Sequence, residues 1–172
     1  SGQFAEVWLK VEAANRGEGI DFSNSLVGQN VDRGFVPSVE KGINNVCADG
    51  VIAGCKVVDV KIDFYDGKMH PVDSNDMAFQ IAGRHAFTEA VKNAKPKLLE
   101  PIYKIQVKIP DDVMGDIMGD ISSRRGKVQG MDSEGNFQVI NAEVPLANLH
   151  DYATALKSMS SGRGMFSNEF SH

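Results

Sequence analysis

Residues 103–121 read YKIQVKIPDDVMGDIMGDI and predict a strand that runs directly into a helix. Apolar and polar residues alternate from Tyr103 to Ile109, which is the two-residue period of a strand with one buried face. Pro110-Asp111-Asp112 then opens a helix, because proline fits a first turn and aspartates favour the positive end of the helix dipole. Apolar residues recur at helical spacing as far as Ile121, so this helix packs on the sheet.

The residues that follow complete the order β-α-β-β-α-β. Residues 127–131 and 137–144 predict a hairpin around residues 132–136, Pro145 precedes a second helix, and residues 165–170 close as a strand. This order is typical of the ferredoxin-like plan.

The residues before a seam at Pro96-Lys97 predict a separate domain. Alternating patterns favour strands at residues 4–12, 20–26 and 58–65. One helix follows Pro37, and a longer one runs to Ala94 with Asp73-Ser74 as its cap. A tight loop over residues 66–70 joins the third strand to that helix. We therefore predict an α+β protein with domains at residues 1–97 and 98–172.

Composition limits the possible functions. The chain has 172 residues, 42% of them hydrophobic, and no run long enough to span a membrane. Its formal net charge is −5, divided as −2 for residues 1–97 and −3 for residues 98–172. Because neither half is basic, we expect non-specific binding to RNA to be weak.

The chain ends and the cysteines suggest an internal piece of a cytoplasmic protein. The sequence begins Ser1-Gly2-Gln3 without a signal peptide, and we expect both ends to be cut from a longer protein. The spacing of Cys47 and Cys55 matches no metal or redox motif. Two reduced thiols in the core are favoured over a disulfide.

Known catalytic and phosphate-binding motifs are missing. The sequence contains no P-loop, complete dinucleotide fingerprint, nucleophile elbow, HExxH or CxxC. Asp116 and Asp120 share a helix face, where a solvated acidic edge is favoured over a cation site. We therefore expect no catalytic residue, metal site or cofactor in this chain.

Two segments remain as candidates for binding. The loop that contains Lys68, an exposed Met69 and His70 suits contact with phosphates and bases, although an ordinary turn explains it as well. Ser122-Ser123-Arg124-Arg125-Gly126 ends a helix, where arginines either offset the helix dipole or clamp phosphate oxygens. The residue types alone favour the ordinary turn for the first segment and leave the two explanations of the second open.

Ordered motifs along the whole chain resemble a single family. They include Val57-Val58-Asp59-Val60, Tyr65-Asp66-Gly67, Leu98-Leu99-Glu100-Pro101-Ile102, Ser123-Arg124-Arg125-Gly126 and Ala142-Glu143-Val144-Pro145-Leu146. On these motifs the sequence is similar to the last two domains of elongation factor G, the ribosomal translocase.

This resemblance implies a fold and a function for each half. Residues 1–97 resemble the fourth domain, of the ribosomal protein S5 domain 2-like type, which enters the decoding region of the small subunit and follows the tRNA–mRNA duplex. Residues 98–172 resemble the fifth domain with its C-terminal end truncated, which contacts large-subunit RNA near the GTPase-associated centre. GTP and Mg²⁺ belong to an N-terminal domain absent here, so the parent is expected to be a GTPase and this chain no enzyme. A cytoplasmic monomer without membrane contact is implied.

The resemblance also assigns contact residues. The small-subunit and tRNA–mRNA contacts are Asp66, Gly67, Lys68, Met69, His70, Gly28, Gln29, Asn30 and Arg33. The large-subunit RNA contacts are Ser122, Ser123, Arg124, Arg125 and Arg163. In this assignment His70 approaches the codon–anticodon backbone.

Departures from the family pattern lie in the two loops of the first domain. Gly28-Gln29-Asn30-Val31-Asp32 replaces Gly-Gly-Val-Ile-Pro, and Lys68-Met69 replaces Ser-Tyr. Loss of the proline, with Asp32, Arg33 and Gly34 gained, is expected to loosen the first loop. A ribosome-recycling or ribosome-protection paralogue is therefore the alternative function.

Two functions from other classes are disfavoured. A stand-alone RNA-binding module conflicts with Phe137-Gln138-Val139-Ile140, which lacks the RNP1 pattern. A small-molecule kinase of S5-like fold conflicts with the missing glycine-rich phosphate loop.

Overall fold

A computed structural model of the chain describes residues 2–172, and it divides into two compact units at Leu98 and Leu99. Each unit has its own sheet, its own helices and its own hydrophobic core. The predicted fold class, two sheet-containing α+β domains, is confirmed. Within residues 2–172, none of the helices combines the length and the apolar composition needed to cross a membrane.

Within residues 2–98 the first unit has three strands and two α-helices. They are β1 (Glu6–Ala13), β2 (Ile20–Asn24), α1 (Val36–Asp49), β3 (Val60–Lys68) and α2 (Asp76–Asn93). The sheet order is β1-β3-β2, with β1 antiparallel and β2 parallel to β3. Because strand side chains alternate, Ile62 and Phe64 of β3 face the helices, while the intervening residues line the opposite, open face.

Helices α1 and α2 approach each other closely through glycine. A Cβ at Gly42 would overlap the backbone carbonyl oxygen of Gln80, and one at Gly83 would lie 3.0 Å from the carbonyl oxygen of Val39. This contact lets Val39 and Phe79 become fully buried above the sheet. Small residues at these two positions therefore set the distance between the helices.

We predict that Gly42→Ala destabilises the first unit by about 2 kcal/mol, because the added methyl group must push two backbones apart. Urea unfolding followed by the fluorescence of Trp8, which lies in β1 of this unit, measures the change. Asn44→Ala, at an exposed position of the same helix, is the matched control and should change stability by less than about 0.5 kcal/mol. Equal effects of the two substitutions would refute the close-approach explanation.

The second unit follows the predicted β-α-β-β-α-β order. Its elements are β4 (Ile102–Pro110), α3 (Met114–Ser123), β5 (Lys127–Glu134), β6 (Phe137–Pro145), α4 (Tyr152–Met159) and β7 (Met165–Phe170). The sheet order β5-β6-β4-β7 is that of a ferredoxin-like domain, with every pair antiparallel. Short 3-10 turns, Asp111–Val113 and Leu146–Asn148, precede the two helices.

Strand β3 is longer than the sequence pattern predicts. Asp66, Gly67 and Lys68 look like turn residues, but they pair with Trp8, Val7 and Glu6 of β1 and continue the strand. The prediction of a loop over residues 66–70 was therefore wrong for its first three residues. Available pairing with β1 outweighs the weak strand propensity of Asp-Gly.

Two other local predictions are corrected. The N-cap of α2 is Asn75, whose side-chain oxygen accepts a hydrogen bond from the amide of Ala78 at 2.8 Å, and not Asp73-Ser74. The β5–β6 hairpin closes on Gly135-Asn136, because pairing continues to Glu134 and Phe137. Gly135 has a φ of 64°. A two-residue hairpin turn requires a positive φ at this position, and glycine adopts it without strain.

The two cysteines differ in exposure. Both are free; Cys47 is buried in α1, whereas Cys55 is exposed, so the prediction of two core thiols was wrong for Cys55. Burial raises the pKa of the Cys47 thiol to about 11. The thiol therefore keeps its proton to higher pH in the native state than in the unfolded state. Stability does not depend on this group at neutral pH, and it falls as the pH rises towards 11, because the unfolded state loses the proton first.

We predict that iodoacetamide at neutral pH modifies Cys55 in the folded chain and leaves Cys47 unmodified, because only an accessible thiolate reacts. Mass spectrometry of tryptic peptides distinguishes the two sites. Labelling in urea should modify both cysteines. Modification of Cys47 at the rate of Cys55 without denaturant would contradict the buried position.

Candidate nucleic-acid interface

The first loop at one end of the first unit is held by its own side chains. Val31 is buried in the core, while Gln29 and Asn30 beside it are exposed. The guanidinium of Arg33 donates to the carbonyl oxygen of Leu26 at 2.6 Å, and the carboxylate of Asp32 accepts from the amide of Gly34 at 2.8 Å. Asp32 and Arg33, which were expected to loosen this loop, instead supply hydrogen bonds within it.

The second loop is tied to the first. The amide of Met69 donates to the carbonyl oxygen of Asn30 at 3.1 Å, so the two segments lie side by side. We call residues 27–34 and 68–75 together the tip. Met69 is half-buried against the core and is therefore less exposed than predicted. The predicted contact residues Gly28, Gln29, Asn30, Lys68 and His70 are thereby brought to one end of the unit.

His70 lies in a short closed turn. Its amide donates to the hydroxyl of Ser74 at 2.8 Å, and that hydroxyl donates to the carbonyl oxygen of Phe4 at 2.7 Å. The Nδ1 atom of His70 lies 3.3 Å from the carboxylate of Asp73 and 3.4 Å from the amide of Val72. Within residues 2–172 the partners of the ring meet Nδ1, which leaves Nε2 for an external group.

Charges of both signs are mixed at the tip and at the end of β3 that leads into it. Lys68 is 70% exposed, with its Nζ only loosely paired to Glu6 at 3.8 Å. Asp66 accepts a hydrogen bond from the amide of Gly67 at 2.8 Å, and Gly67 itself is buried. Lys68 is therefore the available cation of this group, whereas Asp66 and Gly67 shape the backbone.

The second candidate surface lies at the C-terminal end of α3, where Arg124 is largely buried. Its side chain is 13% exposed and donates to Asp120 at 2.8 Å, to Asp151 at 2.6 Å and to the carbonyl oxygen of Asn148 at 2.8 Å. The guanidinium also covers the ring of Tyr152 at 5.0 Å. Arg124 therefore joins α3 to the start of α4 through its Nε and Nη1 atoms.

Arg125 presents the opposite case. Its side chain is 58% exposed and binds the carboxylate of Glu100 through two nitrogens, at 2.8 and 2.9 Å, and Asn148 at 3.0 Å. The hydrogen bond from Arg125 holds the pKa of Glu100 below its usual range. The backbone of Arg125 has a φ of 60°, a conformation that glycine adopts more readily at a helix end. A two-pronged carboxylate contact is also the geometry with which arginine binds phosphate.

The predicted large-subunit contacts do not form one cluster, because Arg163 lies away from Arg125. Arg163 pairs with Asp112 at 3.0 Å, at the N-terminal end of α3. Because α3 has 10 residues, that end lies about 15 Å from Arg125. Ser123 donates to the carbonyl oxygen of its own helix residue Asp120 at 2.7 Å, and Ser122 is exposed. The structure thus separates the predicted large-subunit contacts into two places.

We predict that Arg124→Ala destabilises the second unit by about 2–3 kcal/mol, because it leaves Asp120 and Asp151 without their partner. Arg125→Ala should cost much less, since an ion pair screened by solvent contributes little. Arg125→Gly should be more stable than Arg125→Ala by about 1 kcal/mol, because glycine relieves the left-handed backbone. Hydrogen exchange of the α3 amides reports all three, and equal losses for Arg124→Ala and Arg125→Ala would contradict the assigned burial.

Sequence comparison covers nearly the whole chain. Residues 1–95 match the family described as elongation factor G, domain IV, and residues 97–172 match the family described as elongation factor G C-terminus. The chain belongs to the elongation factor G family. The predicted family resemblance is therefore confirmed, and the two units are the domain IV and C-terminal parts of an elongation-factor-G-like translation factor.

A solved structure agrees with this assignment. A crystal structure of a protein from Thermus thermophilus is similar over 99% of this chain, with 39% sequence identity and a TM-score of 0.83. The chain spans 25% of the length of that protein.

Sequence patterns missed the residues that position His70 in this elongation factor G domain. Phe4 and Ser74 are 70 positions apart, yet they are joined by a hydrogen bond and together support the His70 turn. The ring of Phe4 also meets the ring of His70 edge-on, with 6.5 Å between centroids. Ser74 appeared in the sequence only as a candidate helix cap, and no local pattern links it to Phe4.

Proposed function

We propose that this chain forms the part of an elongation-factor-G-like GTPase that promotes movement of tRNA and mRNA through the ribosome. In this proposal the tip enters the decoding region of the small subunit and contacts the tRNA–mRNA duplex. The proposal starts from the family, because domains of elongation factor G proteins generally interact with the ribosome. The observation that carries the finer proposal is the tip itself, where one hydrogen bond between loops holds Lys68 and His70 at a single end of the unit.

The tip acts by contact and by occupying space. The Nε2 atom of His70 can donate to phosphate or 2′-hydroxyl oxygens whether the imidazole is charged or neutral. In the charged form Nδ1 donates to the carboxylate of Asp73, and in the neutral form it accepts from the amide of Val72. The ammonium group of Lys68 attracts phosphate at close range. These contacts keep the duplex from moving back, and no bond to the RNA needs to form.

The acidic balance suits a factor that must leave the ribosome. With a net charge of −5, the chain gains little from non-specific attraction to RNA, so binding depends on few contacts. Exposed Arg125 and Arg163, with Ser122, would contact large-subunit RNA near the GTPase-associated centre.

The energy for movement would come from outside this chain. GTP and Mg²⁺ would be bound by another domain of the whole factor, so we expect residues 1–172 alone to hydrolyse no GTP. A cytoplasmic factor acting as a monomer fits this role.

We predict that His70→Ala in the whole factor slows single-turnover translocation about 10-fold or more and leaves ribosome-dependent GTP hydrolysis nearly unchanged. The loss corresponds to one or two hydrogen bonds to charged groups. Stopped-flow fluorescence of labelled mRNA measures translocation, and phosphate release measures hydrolysis. His85→Ala, which removes an exposed histidine from α2, is the matched control and should change neither rate.

Two outcomes would reject the role of the tip. Translocation at the parental rate with His70→Ala means that the histidine makes no essential contact. Equal slowing by His85→Ala means that the assay reports damage to the domain and not loss of a contact.

Ribosome recycling or protection is the second candidate, favoured by one observation. Lys68 and Met69 stand where the family usually has Ser-Tyr, so the charge of the tip is altered at an exposed position. A factor with this tip that fails to replace the main translocase in a depleted strain, but splits post-termination ribosomes, would have the recycling role. Rescue of growth by the whole factor supports translocation.

A further inference from the structure

Two aromatic side chains lie exposed on the open face of the first unit's sheet. Trp8 of β1 is 50% exposed and Tyr65 of β3 is 39% exposed. Both helices of the unit pack on the other face, against Ile62 and Phe64. We call Trp8 and Tyr65 the aromatic pair. Large aromatic residues are normally buried, so a pair of them on an open face needs a reason.

The backbone places the two rings together. The pairing of β1 with β3 shifts between Trp8 and Leu9, which leaves Tyr65 as an extra residue in β3. Such a bulge re-aims a side chain, here bringing the ring of Tyr65 to 6.4 Å from that of Trp8 at an interplanar angle of 69°. The indole Nε1 donates to the carboxylate of Glu6 at 2.6 Å, which fixes the orientation of the Trp8 ring.

The aromatic pair is continuous with the tip. Lys68 of the tip is opposite Glu6 in the sheet, two residues along β1 from Trp8. On the other side of Trp8, exposed Lys10 is bound to Glu12 at 3.1 Å. The face therefore carries one lysine on each side of the pair, each beside a carboxylate, and the exposed carboxylate of Asp66 lies opposite Trp8.

We propose that the aromatic pair stacks an unpaired base of single-stranded RNA that runs past the tip. Open sheet faces with aromatic residues bind single strands in this way, because every base has a π-face and an unpaired base is free to stack. The mixed charge around the pair makes stacking, and not phosphate attraction, the main contribution. The inference deepens the proposed function and rests on it only in naming RNA as the ligand.

The chain carries its own probe for this contact. Trp8 is the single tryptophan of the sequence, so intrinsic tryptophan fluorescence reports the proposed site alone. Titration with a single-stranded oligoadenylate should quench this fluorescence with saturation. Duplex RNA of the same length and inorganic phosphate at matched ionic strength should quench it far less, because neither offers an unpaired base.

Substitutions test the same contact by an independent readout. Tyr65→Leu and Trp8→Leu keep apolar, strand-compatible side chains and should each weaken binding of a labelled oligoadenylate, measured by fluorescence anisotropy, roughly 5- to 100-fold. Phe170→Leu is the matched control. It alters another edge-to-face aromatic pair in the second unit, formed by exposed Phe170 and partly buried Tyr103, and should leave binding unchanged. Circular dichroism melts establish that each variant is folded.

The outcomes separate this inference from the proposed function. Absence of saturable quenching in the parental chain, or equal binding by Trp8→Leu and the parental chain, would overturn the stacking site. Equal quenching by phosphate and by oligoadenylate would also overturn it, since charge would then suffice. None of these results depends on translocation. Slower translocation by the His70→Ala variant would therefore still support the proposed function if the stacking site were rejected.

Discussion

The tip depends on one close approach of two backbones. Strands β1 and β3 remain paired as far as Glu6 and Lys68, and this requires glycine at position 67, where a Cβ would overlap the carbonyl oxygen of Glu6. With the strands paired to that point, the chain leaves β3 beside Asn30, and the hydrogen bond between the two loops can form. The same extended pairing contains the bulge that brings Tyr65 to Trp8. The tip and the aromatic pair are therefore both consequences of how far this ladder continues.

Two adjacent arginines in the second unit have different roles: Arg124 is largely buried and stabilises the fold, whereas Arg125 is exposed. Arg124 neutralises Asp120 and Asp151 and lies over Tyr152, whose hydroxyl is buried and whose pKa burial raises to about 12. Arg125 points its charge at exposed Glu100 and holds a backbone conformation that favours glycine. A largely desolvated guanidinium bonded to two carboxylates and a carbonyl oxygen contributes to the fold, whereas one held by exposed side chains can exchange them for a phosphate.

Much of the fold could be predicted because its signals are local. The alternation in β4 and the apolar stripe of α3 follow from periods of 2 and 3.6 residues, and both elements lie where the pattern places them. The end of β3 could not be predicted, because Asp66 and Gly67 extend the strand only when β1 is beside them. The burial of Arg124 likewise depends on Asp151, 27 residues away, which no local pattern reveals. For the candidate site, the residue types of the tip were visible in the sequence, but the bonds that hold them were not.

The turn that carries His70 is connected to the segment that leads into β1. The amide of Phe4 donates to the carbonyl oxygen of Asp73 at 2.9 Å, and the carbonyl oxygen of Phe4 accepts from Ser74. These two bonds therefore fix Asp73 and Ser74, and the His70 turn between β3 and α2, against the backbone of one residue, Phe4. The segment before β1 is thus joined directly to the turn that carries His70, through two hydrogen bonds and not through the helices.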